Sequence, residues 1–458
     1  MKEIKNYITV FFTSGHKRSI EAKKNIIASL IIKGLSIIIS LLMVPMTIHY
    51  INPTQYGIWL TLSSMVAWIS FFDIGFTQGL RNNFAKAKAE GNITLARSYV
   101  STAYFYIGII FICLWIVLII INQFIDWTNI LNIESSLLNE VSTLASIILT
   151  YFCFQFIFKI INTILVADQK PALSSLLSLI GQLFSLIAIF LLTKFTTGSL
   201  ISLGLALGVA PTIIIILSNF YFFRTKYREF APTIHLVKKQ YAKGIMTLGL
   251  KFFILQIAAI VQYQTILFFI AHYFDTLQVT SYNIAYKYFG IIHMIFIILV
   301  TPLWSGVTDA YNKGDLNWIK NSVNKYLKVL ILFVFIGAVM LFFAEPIYNV
   351  WLGKDVVSIS FNISLLCYLF FLVSMFSSIF VYVINGIGVL RIQFYSSFVT
   401  SIGFVLSTLI LIKQFHFGIE VILISSILSN VYGYIIAPIQ YYYLIIKQNN
   451  SPTSIWNK

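Results

Sequence analysis

The chain has 458 residues, of which 59% are hydrophobic and 10% charged, and its mean hydropathy is +0.88. No water-soluble core accommodates that composition, whereas many membrane spans of ~20 apolar residues, each crossing a hydrocarbon layer roughly 30 Å thick, account for it. The net charge of +16 argues against a nucleic-acid partner, because the cations sit in short connections bracketed by apolar stretches.

In chain order, the first 24 residues are basic and polar, with a short apolar run, Tyr7 to Phe12, suited to a membrane surface. The first long apolar stretch exceeds the length of a signal-peptide core, so helix 1 is expected to stay as an uncleaved anchor. Six spans are predicted at Asn25 to Tyr50, Tyr56 to Leu80, Ser98 to Ile121, Val141 to Val166, Ala172 to Thr193 and Ser199 to Phe222. Six more follow at Ile245 to Tyr273, Ser281 to Val307, Tyr326 to Val350, Ser358 to Gly386, Ile392 to Ile412 and Ile419 to Ile446. Pro45, Pro211, Pro302 and Pro438 fall within them and predict bends.

The cations alternate. The N-terminus carries six, and the connections after spans 2, 6 and 8 carry four, six and, with Lys328 in the first turn of span 9, four, whereas those on the other side carry only Lys194, Lys354 and Lys413. Short basic connections are retained in the cytoplasm, which puts both termini there. Cys113, Cys153 and Cys367 have no paired spacing and the six histidines form no helical metal motif, so neither disulfides nor a metal site is expected.

The halves read as copies of one six-helix unit, residues 1–230 and 231–458, offset by about 223 positions. Thr47-Ile48-His49-Tyr50 lines up with Ile270-Ala271-His272-Tyr273. Lys88 to Asn92 with Arg97 lines up with Asn312 to Asp315 with Lys320. The expected fold is an all-α polytopic membrane protein of about twelve helices, in two pseudo-symmetric six-helix halves around a central cavity.

A charge within a span costs ~2.5 to 3.5 kcal/mol on insertion scales, so it normally faces a partner or a watery cavity. Lys33, Lys159, Lys251 and Lys287 lie away from the ends of their spans, against one deep acid, Asp73. Lys33 and Asp73 sit at matching depths of ~12 Å and could pair. Lys251 enters span 7 at comparable depth with no acid at the matching place in span 8. Four cations against one acid would draw an anion into a cavity, while snorkelling toward the headgroups is the plainer reading of each, most of all Lys287, a turn or two from the outer surface. Gln256, Gln262, Tyr263 and Gln264 in span 7, and Tyr282, Asn283, Tyr286 and His293 in span 8, offer amides and ring faces suited to sugars; Tyr282, Tyr286 and His293 share one helical face.

Val44-Pro45 through Tyr50-Ile51, Tyr56-Gly57-Ile58-Trp59, Asp73-Ile74-Gly75, Gly79-Leu80-Arg81-Asn82 and the Gly91-Asn92 turn resemble the polysaccharide-transporter, or O-antigen flippase, family of the multidrug/oligosaccharidyl-lipid/polysaccharide exporter superfamily. The match is good over the first 105 residues, and the twelve spans fit throughout. The resemblance implies a bacterial inner-membrane protein that moves a polyprenyl-diphosphate-linked oligosaccharide to the outer leaflet by alternating access, with membrane lipids, a glycan polymerase and a chain-length regulator as partners. It places the diphosphate on Lys251, with Lys33, Lys159 and Lys287 as further cationic contacts. It implies no catalytic residue, metal or cofactor, and a proton or sodium gradient coupled through Asp73 or His293. Members often use arginine in the lumen as well, whereas the inner helices here have only lysine. A multidrug exporter or a lipid II flippase of the same superfamily is the alternative. A membrane glycan polymerase or ligase is the second, with Asp126 and Glu134 of the longest external connection as its carboxylates.

Overall fold

The computed structural model describes residues 17–69, 74–242, 265–415 and 418–447. Every long element among them is a helix, as backbone in hydrocarbon demands, because lipid offers no partner to an open N–H or C=O. In the N-terminal part these are α1 (Lys17–Tyr50), α2 (Pro53–Ile69), α3 (Ile74–Ala89), α4 (Ile93–Asn122), α5 (Leu138–Phe158), α6 (Ile160–Ala167), α7 (Pro171–Phe195) and α8 (Leu200–Arg224). Then come α9 (Thr265–Tyr273), α10 (Thr276–Asn312), α11 (Leu316–Phe342), α12 (Ala344–Leu352), α13 (Phe361–Ile387), α14 (Arg391–Phe415) and α15 (Glu420–Ser429). Ten stretches of the described residues are long and apolar enough to span a membrane. The other two expected spans, the second and the seventh, are described only in part, as α2 with α3 and as α9.

The residues group into two compact units. The first draws on Met1–Gln55, Met65–Thr128 and Ile133–Ile254, the second on Tyr56–Ser64, Asn129–Asn132 and Leu255–Lys458. Within the first, α1 packs on α7, α7 on α8, α8 on α5, and α5 on α4. Phe84, Phe111, Phe156, Ile164 and Tyr227 centre its core, with the Phe111 and Phe156 rings stacked at 4.9 Å. Within the second, α10 packs on α11 and α13, α11 on α13, and α13 and α14 on α15, around Phe296, Phe333, Met375 and Ile379. Lipid tails are as apolar as these side chains, so close dispersion packing holds the bundles together more than exclusion from solvent does. Only 11% of the apolar window of α4 is buried, which leaves the Ile109, Ile112, Ile116 and Ile120 face to lipid.

The repeated turn is the same motif in both units. Gly91 (φ +72°) and Gly314 (φ +75°) adopt the left-handed conformation that glycine takes without a Cβ penalty. In the first, Asn92 N donates to Ala87 O and Gly91 N to Lys88 O; in the second, Asp315 N donates to Ala310 O and Gly314 N to Tyr311 O. Each glycine is followed by an N-cap: the Asn92 side chain accepts from Leu95 N, and that of Asp315 from Trp318 N.

Three spans depart from the single helices expected of them. The ninth ends at Phe342, and residues to Leu352 form the separate α12. Glu345-Pro346 explains the break: proline lacks the N–H of a helix interior but fits a first turn, so a new helix starts at Ala344. The fourth is interrupted by a turn at Lys159. The twelfth breaks at Asn430 and continues through π turns at Tyr432–Ile436 and Tyr442–Ile446. Those wider turns flank Pro438, which cannot supply an amide to the ladder.

Connections of the first unit are tied by one carboxylate. Asp168, between α6 and α7, accepts from Lys88, from Lys170 and, at 2.6 Å, from the Tyr227 hydroxyl. Burial pushes its carboxyl up, but these three donors outweigh that and hold it below its ordinary value. The connection after α8 is clipped along α4: Arg97 Nε donates to Ala231 O at 2.8 Å, and Thr233 N to Ser101 Oγ at 3.0 Å.

Candidate functional site: polar strips within the spans

In the first unit, α1 is two-faced. Ile31, Leu35, Ile38 and Leu42 are exposed on one side, in the lipid-facing pattern. Lys33 is exposed too, but at 100° per residue it lies roughly opposite them, in line with Ser29, Ser36, Ser40 and Thr47. Thr47 is buried, and Ser29 Oγ is buried with no hydrogen-bond partner. The lysine thus belongs to a hydroxyl-lined strip on the packing side of α1.

Lys159 sits at the turn between α5 and α6, exposed, with its ammonium 5.2 Å from the centre of the Phe156 ring. Asn162, three residues on, shares its face; residues 160, 161 and 163–165 are buried. Asn162 Oδ1 is buried without a partner, as are Gln182 Oε1 and Ser185 Oγ on α7, the helix against which α1 packs. Buried polar atoms that no protein group pairs with are costly in a membrane bundle.

In the second unit the strip is on α10: Asn283, Tyr286, Lys287, Gly290 and His293 fall within one ~120° arc and are all half-buried. The helix starts at Thr276 rather than at the expected Ser281, so Lys287 is three turns in, ~16 Å from its start. Its ammonium is turned to the buried Tyr56 on α2, donating to the hydroxyl at 3.4 Å. The first turn of α2 rests against the first turn of α10, where Gly57 faces the Thr276 carbonyl so closely that a Cβ would collide with it. Tyr286 and His293 lie 4.8 and 5.2 Å from the Phe371 ring on α13, and Asn283 Oδ1 is buried without a partner. Tyr282, expected on the same face, is instead buried in the packing, 5.5 Å from Tyr286. Lys251, Asp73, Gln256, Gln262, Tyr263 and Gln264 lie outside the described residues, and with them the Lys33–Asp73 pairing.

Among the described residues every carboxylate belongs to a connection or to the first or last turns of a helix. Asp126 accepts from Thr128 N at 3.0 Å and Glu134 from Ser136 Oγ at 3.3 Å, so each serves its own local turn. Glu140 caps α8 by accepting from Leu200 N at 2.8 Å. No group of three or more His, Cys, Asp or Glu among the described residues could hold a metal, and the three cysteines are free. The serines of α1, Asn162 and Gln182 escaped sequence reasoning, although Ser29, Lys33, Ser36 and Ser40 at spacings of four, three and four carry the helical signal.

The family model for polysaccharide biosynthesis proteins matches residues 22–305. The chain belongs to that family. This family member matches no curated protein. Among solved structures it is similar to a multidrug resistance MATE family transporter of the MOP superfamily in an inward-facing conformation, at 12% identity over 90% of this chain and 96% of that one, with a TM-score of 0.71. An outward-facing structure of such a transporter gives 13% identity, 96% and 99% coverage and a TM-score of 0.63. A MOP superfamily transporter from Pyrococcus furiosus, whose binding pocket is described as having reverse polarity that suggests a different function, gives 13% identity, 95% and 98% coverage and a TM-score of 0.61. At these identities the likeness is one of fold: this polysaccharide biosynthesis family member has the MOP transporter architecture, and it is a multi-pass membrane protein.

Proposed function

We propose that the protein is a flippase carrying a polyprenyl-diphosphate-linked oligosaccharide across the bacterial inner membrane by alternating access, with both termini in the cytoplasm. The observation that carries this reading is the sign of charge: Lys33, Lys159 and Lys287 lie within spans, on strips of hydroxyls and amides, while every described carboxylate sits at or near a helix end or in a connection. Cations in a low-dielectric bundle stabilise an anion such as a diphosphate, and hydroxyl, amide and ring faces suit a glycan. The prenyl tail stays in lipid, so the protein moves only the polar part.

The fold is shared with multidrug transporters, and charge separates the two readings. A cationic drug needs acids where this chain has lysines. A polymerase or ligase needs a paired catalytic site, and Asp126 and Glu134 are engaged in separate turns. Lys251 joins the diphosphate contacts in this reading, with Asp73 or His293 coupling transport to a proton or sodium gradient. The test is translocation of a fluorescent polyprenyl-diphosphate oligosaccharide in proteoliposomes. Wild-type protein is expected to make the glycan accessible to a glycosidase on the opposite side; export of a cationic dye without glycan transport would overturn the assignment.

A further inference from the structure

The helix α12 has three distinct faces. Ala344, Tyr348 and Leu352, at spacings of four, are buried; the Tyr348 hydroxyl meets Ser364 Oγ at 3.2 Å, and its ring meets Tyr288 at 5.3 Å. A second face carries Glu345 and Asn349, both exposed. The third carries Phe343, Ile347, Val350 and the half-buried Trp351; Val350 is 88% exposed and Phe343 48%. Lys354 follows just past the helix end and is exposed. A helix in water does not keep so much apolar surface on one face.

The apolar face follows directly in the chain on α11, whose exposed stripe runs through Ile331, Phe335 and Phe342, the last 80% exposed at the very end of the span. It therefore begins at the end of that span. We propose that α12 lies flat in the interface of the leaflet at that end of α11, its Phe343, Ile347 and Val350 face sunk into the headgroup–acyl boundary, with Trp351 at headgroup level and Lys354 against lipid phosphate. Apolar, aromatic and cationic groups in that order are what such an interface accepts. The partner is phospholipid, and Tyr348 carries the anchoring to Tyr288, the residue next to Lys287.

The test uses nitroxide labels on full-length protein in phospholipid vesicles at a low protein-to-lipid ratio. Replacing the exposed Cys113 with alanine leaves the buried Cys153 and Cys367 in place, so packing is undisturbed. Single cysteines are then placed by Ile347→Cys, Val350→Cys, Glu345→Cys and Asn349→Cys. Collision with oxygen relative to a water-soluble nickel chelate is expected to be several-fold higher at 347 and 350 than at 345 and 349. Equal aqueous access at all four positions would overturn the proposal. Protection of 347 and 350 from both reagents would overturn it too, by showing a protein partner on that face.

Discussion

Asp168 shows how much one carboxylate can order at a membrane surface. Its side chain is 11% exposed and accepts from two ammonium groups and a phenol drawn from the last turn of α3, the α6–α7 connection and the connection after α8. Replacing it by asparagine leaves Lys88, Lys170 and Tyr227 without their anion. Asp168→Asn is expected to cost about 2 kcal/mol, read as a lowered midpoint in thermal unfolding of detergent-solubilised protein. The sign with pH follows from the depressed folded-state value: the contribution is complete above about pH 4, the ordinary aspartate range, and is lost as pH falls through the lower value in the folded protein. Wild type and variant should converge in midpoint as the pH drops below about 4. At Gly57 the limit is steric: Gly57→Ala sets a Cβ against the Thr276 backbone and is expected to lower stability, whereas Gly34→Ala, with open space around it, should be silent.

At the scale of elements, the two glycine turns make a paired prediction. Asn92→Ala and Asp315→Ala remove equivalent caps, so each should cost about 1 kcal/mol and the two losses should be similar in unfolding experiments. The strip on α1 predicts a periodic pattern of labelling by a water-soluble thiol reagent: cysteines at 29, 33, 36 and 40 should react, and those at 31, 35, 38 and 42 should be silent in lipid. A flat profile would remove the polar strip. The spans themselves were legible because apolar length decides them. The ends were less so. Apolar residues recur from Phe342 to Val350, and Glu345-Pro346 is what betrays the break. The turn at Lys159 lies between two apolar runs and leaves no compositional mark. The serines of α1 were overlooked because single hydroxyls are common in spans; their spacing aligns them with Lys33, but only the burial of Ser29 Oγ and Thr47 shows that this side of the helix packs.

At the scale of the whole molecule, family and fold were legible in the first hundred residues and in the repeat, whose two turns close with matching bonds. Less legible was the division of labour among the lysines, because depth counted along a sequence does not say which way a side chain turns. Lys287 illustrates this: the sequence put it a turn or two from the outer surface, whereas α10 starts at Thr276 and the ammonium donates to the Tyr56 hydroxyl. In the proposed function such cations carry the diphosphate. The most direct measurement is the initial rate of lipid-linked oligosaccharide translocation in proteoliposomes for wild type, Lys287→Ala and Lys287→Arg, with each protein's folding checked by its unfolding midpoint. The alanine variant is expected to lose most of the rate while keeping the fold, and the arginine variant to recover it. Full transport by the folded alanine variant would contradict it.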